Sequence, residues 1–206
     1  MPEMTFLIGA FVTLLVVIDP VGLAPLFVAL TTGEDPARRR RIALRACVLA
    51  VGLLTLFGLL GEAVLGFVGI SMPAFRIAGG ILLFLTALEM LFERRTKRRE
   101  DQAESEKPDP SVFPLAIPLI AGPGAIASMI LLTGESGGGW QGILAVHLVM
   151  IAVILVVLVF FLAAPLLERA LGKTGINVVT RLLGMLLAAL SVQFVLDGLR
   201  TFGLGT

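Results

Sequence analysis

Asp19-Pro20-Val21-Gly22-Leu23-Ala24-Pro25 and Ala121-Gly122-Pro123-Gly124 are the two places in this chain where residue type and spacing point to binding chemistry. Each is a proline–glycine cluster inside an apolar run, the first within about 4–31 and the second within about 113–133, which also carries Pro114 and Pro118. Proline lacks a backbone donor and clashes with the preceding turn, so each cluster is expected to unwind its helix. The half-helices restarting near Leu23 and Ala125 then offer N–H groups without internal partners. Those amides and the positive end of the helix dipole suit a carboxylate, a phosphate or an inorganic anion. The half-helix ending near Ile18 leaves carbonyls free, and Asp19 adds a negative charge, so this end suits an ammonium group. Anion and cation receptors side by side, walled by Gly, Ala and Leu, describe a small zwitterion. Gly22, Gly122 and Gly124 let backbone approach a ligand closely. The candidate lining is therefore Asp19, Pro20, Gly22, Leu23, Pro25, Gly122, Pro123, Gly124, Ala125 and Ser128.

The elements that must position these groups are membrane spans. The chain is 57% hydrophobic, and a bilayer is crossed by about 20 apolar residues. Six such stretches lie near 4–31, 42–68, 72–92, 113–133, 141–167 and 180–203. Within hydrocarbon a broken helix survives only where its freed backbone groups face protein or a wet cavity. Paired breaks in the two halves of a membrane protein point to a transporter binding site. Residues 93–112 are charged and polar and read as a cytoplasmic linker between halves 1–92 and 113–206. The halves repeat weakly: an offset of 102 places Gly22 on Gly124 and Thr31 on Thr133, and an offset of 105 places Arg76-x-x-Gly79 on Arg181-x-x-Gly184. Three spans per repeat force the second copy into the membrane upside down. The expected fold is thus an all-α integral membrane protein of six transmembrane helices, built as two inverted three-helix repeats with broken first and fourth helices.

Charge sets the orientation. Alternating the loops from an outer N-terminus places Arg38–Arg41 and Arg45, the linker cations, and Arg169, Lys173 and Arg181 inside, 14 of the 16 basic residues. Lys and Arg favour cytoplasmic loops, so both termini are expected outside a plasma (inner) membrane, with Trp140 as an outer interfacial anchor. Met1-Pro2-Glu3 carries no basic stretch of a removable signal peptide. A single cysteine, Cys47, and a single histidine, His147, rule out an intrachain disulfide, a CxxC motif and a bis-histidine site. No nucleophile–base pair suggests an enzyme, and no metal site or cofactor is expected beyond a coupling proton or sodium ion. The expected partners are substrate and lipid bilayer, with no nucleic acid; the oligomeric state is left open.

Ionisable groups inside spans are functional candidates by default. Glu62 and Arg76 share the outer side of neighbouring spans and form a candidate charge pair, while Asp197 and Arg200 read as an interfacial pair one turn apart. Asp19, Glu62, Arg76, Arg181 and Gln193 are candidates for coupling or gating, Gln193 being deep enough to reach a cavity. Ser128 and Thr133 follow the second break, where a hydroxyl by default bonds its own helix. His147 lies near an interface and is expected to be solvated.

Asp19-Pro20-x-Gly22-x-x-Pro25-x-Phe27, Pro114-Leu115-x-x-Pro118-x-x-x-Gly122-Pro123-Gly124, Arg76-Ile77-x-Gly79-Gly80 and Arg181-x-x-Gly184 together resemble the MarC family, related to the lysine exporters. The resemblance covers nearly the whole chain outside the linker. One departure is Leu23, where the family often carries asparagine. The resemblance implies uptake or exchange of small neutral amino acids such as glycine, alanine, serine or threonine; the inverted halves add the expectation of alternating access, with ion coupling. A channel or exporter for another small polar solute or anion is the alternative.

Overall fold

The computed structural model describes residues 3–92, 109–137 and 139–202. The linker residues 93–108 and their cations lie outside the described residues. Every regular element among the described residues is helical. Five helices are long and apolar enough to span a membrane, and a bent pair makes up to six.

The first span, Met4–Leu30, consists of α1 (Met4–Ile18) and α2 (Pro20–Leu30), divided at Asp19. Asp19 adopts a left-handed backbone, φ 59° and ψ 67°, a conformation that Asp tolerates because its short polar side chain bonds locally. Its carboxylate accepts the Gly22 N–H at 3.0 Å, and Pro20 fills the first helical position, where its missing donor costs nothing. This cap corrects the expected unwinding over 19–25. The break is one residue long, α2 restarts at Pro20 rather than near Leu23, and Pro25 sits inside the helix.

The second span, α3 (Pro36–Val68), is capped by Asp35, which accepts from the Arg38 N–H at 2.8 Å, and it ends at Gly69 with φ 81°. The third, α4 (Met72–Leu91), starts at a Ser71 cap. The fourth is bent: α5 (Ser111–Ile120) winds as a π-helix, and α6 (Pro123–Glu135) leaves it at 55°. Phe113 and Ile117 hold extended backbone inside α5, each before a cis proline. The residue before a proline is driven out of the helical region, which accounts for both positions. The irregular backbone therefore reaches from Phe113 to Gly122 rather than being confined to 121–124. Hydrogen bonding runs on through Trp140–Thr201, with Gly172 (φ 61°, ψ 175°) dividing it into α7 (Trp140–Leu166) and α8 (Thr174–Thr201).

Small residues bring these helices together. Between spans, lipid is as apolar as leucine, so association rests on close packing. On α4 and α8 the contacts run antiparallel. Gly198 lies against Ile77 and Pro73, Gly80 against Ser191 and Val195, and Gly184 against Ala87 and Met90. Gly79 receives Leu131 and Ala127 of α6, while Gly61 and Gly58 of α3 receive Ile130 and Met129. The most deeply buried side chains include Leu14, Ile18, Leu23 and Phe27, which centres the core on the broken first span. Large apolar side chains cover the outside, among them Met4, Phe67 and Leu166. Trp140, at the start of α7, is 71% exposed, consistent with an interfacial anchor.

Candidate functional site at the two helix breaks

The two breaks meet at Gly124. A Cβ placed there would lie 3.2 Å from Val17 Cγ1, 3.3 Å from Leu83 Cδ2 and 3.8 Å from Thr86 Oγ1. The first turn of α6 thus packs against the last turn of α1, two residues before Asp19, with α4 as the third wall. Val17, Leu83 and Thr86 were not among the residues singled out in the sequence. Only the packing of α4 between the two broken spans reveals them.

Asp19 is 1% exposed, so the conformation described is closed over its carboxylate. Pro20, Leu23, Ala125 and Ser128 are buried, Gly22, Pro25, Gly122 and Gly124 are half-buried, and Pro123 is exposed. Each glycine has a local reason to be glycine. At Gly22 a Cβ would collide with the Asp19 carboxylate, and at Gly122 it would sit 2.5 Å from the Pro118 carbonyl. At Gly22 and Gly122 the close approach expected toward a ligand is thus spent within the chain, on the cap and on the α5 turn.

The two helix starts differ in what they can bind. The α2 start is occupied by Asp19, whose carboxylate already takes the Gly22 amide. This corrects the expectation that both starts offer amides to an anion. At the α6 start, Gly122 is the cap residue and no side chain caps it. Pro123 has no N–H, and Ile126 is the first residue bonded back, to the Gly122 carbonyl at 3.0 Å. The α6 start therefore presents amides from Gly124 and Ala125 and the positive end of a 13-residue helix. One turn further on the Gly124 face lies Ser128, fully buried, its Oγ without a hydrogen-bond partner. Thr133 instead bonds its own helix, at 2.9 Å to the Met129 carbonyl, as hydroxyls in spans usually do. An unpaired buried hydroxyl is costly, and Ser128 Oγ is one of the few buried side-chain polar atoms without a partner among the described residues.

The remaining candidates lie away from the breaks. Arg76 pairs with Glu135 at 2.9 Å, not with Glu62, and so ties α4 to the end of α6. Glu62 is exposed on α3. Arg181 is exposed on α8. Gln193 faces outward too and donates to Asp197 Oδ1 at 2.8 Å, and Arg200 pairs with Asp197 at 3.7 Å. A deep level in a span gives no direction around its axis, which is why Gln193 points away from the centre. His147 is 8% exposed rather than solvated, packed beside Gly58 and Met129 with Nδ1 2.7 Å from the Ile143 carbonyl. Just before α5, Asp109 accepts from Ser111 Oγ at 2.6 Å and pairs with Arg45 of α3. The Ser111 hydrogen bond, with Arg45 nearby, holds the Asp109 carboxyl below the usual range. This clasp anchors the start of α5. Among the described residues no group of His, Cys, Asp and Glu is placed to hold a metal ion.

Comparison of the sequence with known proteins points to a family. The model of the MarC family of integral membrane proteins covers residues 4–202. A UPF0056 membrane protein of Aquifex aeolicus is 37% identical over 94% of this chain and 92% of its own length. YvbG of Bacillus subtilis is 37% identical over 95% of each chain. The inner membrane protein YhgN of Escherichia coli is 34% identical over 96% of this chain and 98% of its own. No solved structure matches. With two proline-broken spans meeting in a helical, lipid-facing bundle and a family match across nearly its full length, the chain belongs to the MarC family of multi-pass integral membrane proteins.

Proposed function

We propose that this protein is a secondary carrier of small neutral amino acids, working by alternating access around the paired breaks. The observation that carries the reading is the packing of the uncapped α6 start, at Gly124, against the turn of α1 that leads into buried Asp19. The Gly124 and Ala125 amides receive the substrate carboxylate, Asp19 receives its ammonium, and Ser128 Oγ supplies the hydroxyl partner. A side chain beyond a hydroxyethyl meets Leu23, Val17 and Leu83, which favours glycine, alanine, serine and threonine. Among the described residues Asp19 is the one fully buried acidic or basic side chain apart from His147, so glutamate and lysine are poor ligands.

Two further observations support a carrier rather than a channel. The site is closed over Asp19, so passage requires the halves to move. The α4–α8 contact is reciprocal to within one residue under the 105-residue offset: Gly80 meets Val195 and Gly184 meets Met90, where the counterparts of Gly80 and Val195 are Met185 and Met90. That reciprocity supports an inverted repeat whose halves rock about α4 and α8. In this reading both termini lie outside the cell membrane, the coupling ion is a proton or sodium, and the protein does no covalent chemistry. Uptake by purified protein in liposomes tests it. Saturable uptake of labelled alanine, accelerated by alanine on the opposite side, is the expected result. Conduction without counterflow would make it a channel, and inert liposomes with folded protein would overturn the assignment.

A further inference from the structure

A cavity of about 260 Å³ opens at the inner ends of α2, α3 and α7, away from the breaks. Its floor is Phe27 stacked on Phe161, ring centroids 4.5 Å apart and nearly parallel. Arg39 lies over the Phe27 ring at 5.7 Å, and its Nε is buried without a partner. Arg40 lines the rim, with Glu34 as the acidic residue there. Glu34 is already taken by Arg38, at 3.1 Å. The cavity thus holds two cations, one with an unmet buried donor, and its single carboxylate is spent.

From this we infer that the cavity binds the phosphate of an anionic membrane lipid. The unmet Nε and the planar guanidinium of Arg39 suit a phosphate oxygen, and Arg40 adds the second charge. Its place over the face of the Phe27 ring holds the Arg39 guanidinium at the cavity. The wall decides between a lipid and a free anion. Leu162 lines the cavity while 50% exposed, and Val159 and Leu155, 60% and 55% exposed, continue its face along α7 toward the membrane interior. Acyl chains leaving the headgroup would run down this lipid-facing side, which a free anion would leave uncovered. Basic residues at the cytoplasmic boundary, where positive-inside charge places this end, attract anionic headgroups. The site is independent of the carried solute and stands or falls separately from the transport reading.

Native mass spectrometry of the full chain, offered equal phosphatidylglycerol and phosphatidylcholine, tests it. One phosphatidylglycerol should survive per chain in preference to phosphatidylcholine. Arg39→Gln with Arg40→Gln should weaken that retention about thirtyfold, the loss of two basic residues near the surface. Glycerol phosphate without acyl chains should not displace the lipid at equal concentration. Equal retention of the two lipids by the wild type would overturn the site even if the double variant failed to fold. Unchanged retention by a folded double variant would also overturn it, and displacement by glycerol phosphate would show a free-anion site instead.

Discussion

Asp19 does two jobs in this account, and two substitutions separate them. As a cap it closes the turn between α1 and α2 by accepting the Gly22 amide at 3.0 Å in a left-handed conformation. As a site residue it supplies a charge for an ammonium group. Asp19→Ala removes the cap, at about 1 kcal/mol, and forces a plain Cβ into the left-handed region, at about 1 kcal/mol more. The sum is about 2 kcal/mol, which in a chain of this size lowers Tm by about 4–8 °C. Asp19→Asn keeps both the acceptor oxygen and the tolerance for left-handed backbone. It also removes a buried charge, so its Tm should equal or exceed that of the wild type. Binding should respond the other way. A charge-assisted hydrogen bond contributes about 1.5–3 kcal/mol, so Asp19→Asn should weaken alanine binding about 10- to 150-fold. Differential scanning fluorimetry and calorimetric titration of the same preparations read both effects. Asp19→Asn that binds alanine within twofold of wild type, at unchanged Tm, would reduce Asp19 to a cap and refute the reasoning.

Three other outcomes follow from the packing. Gly80→Leu drives a side chain into the Ser191 carbonyl, 2.8 Å from its Cβ, and should separate α4 from α8; Gly52→Leu, with nothing within 4 Å, should leave the size-exclusion profile of the purified protein unchanged. Exchange of Arg76 and Glu135 should restore the Tm lost in either single neutral variant, a loss of at most about 1 kcal/mol for a partly exposed pair, and a pair that proves irrelevant to Tm would mean the α4–α6 tie does not form. In a Cys47→Ala background, a cysteine at position 3 should label from outside in sealed cells and one at Thr32 should not; the reverse would invert the topology.

The sequence makes the spans legible because bilayer thickness fixes how long an apolar run must be, and the observed spans start and stop within a few residues of those runs except at the polar first turns of α3 and α8. The positions of the breaks are legible too, since Asp-Pro and Gly-Pro-Gly punctuate otherwise uninterrupted helices. Their extents are not. At Asp19 one side-chain hydrogen bond closes the gap in a single residue, whereas at Phe113 and Ile117 the following prolines push the backbone out of the helix well before Gly122. Azimuth is the other quantity hidden from a linear reading. Glu62 and Gln193 sit at plausible depths yet face outward, and Arg76 finds Glu135 only because Gly79 and Gly134 let α4 and α6 approach. His147 is buried because Gly58 leaves room for its ring, a pairing no spacing announces.

The central claim is that the α6 start and Asp19 together recognise both charges of one small molecule. Calorimetric titration of the wild-type protein with alanine, lactate, alaninamide and N-acetylalanine tests this directly. Alanine alone should bind measurably, because each analogue lacks one charge and leaves either the Gly124 and Ala125 amides or the Asp19 carboxylate without its partner. Lactate or alaninamide binding as tightly as alanine, or alanine failing to bind a folded protein, would contradict the account.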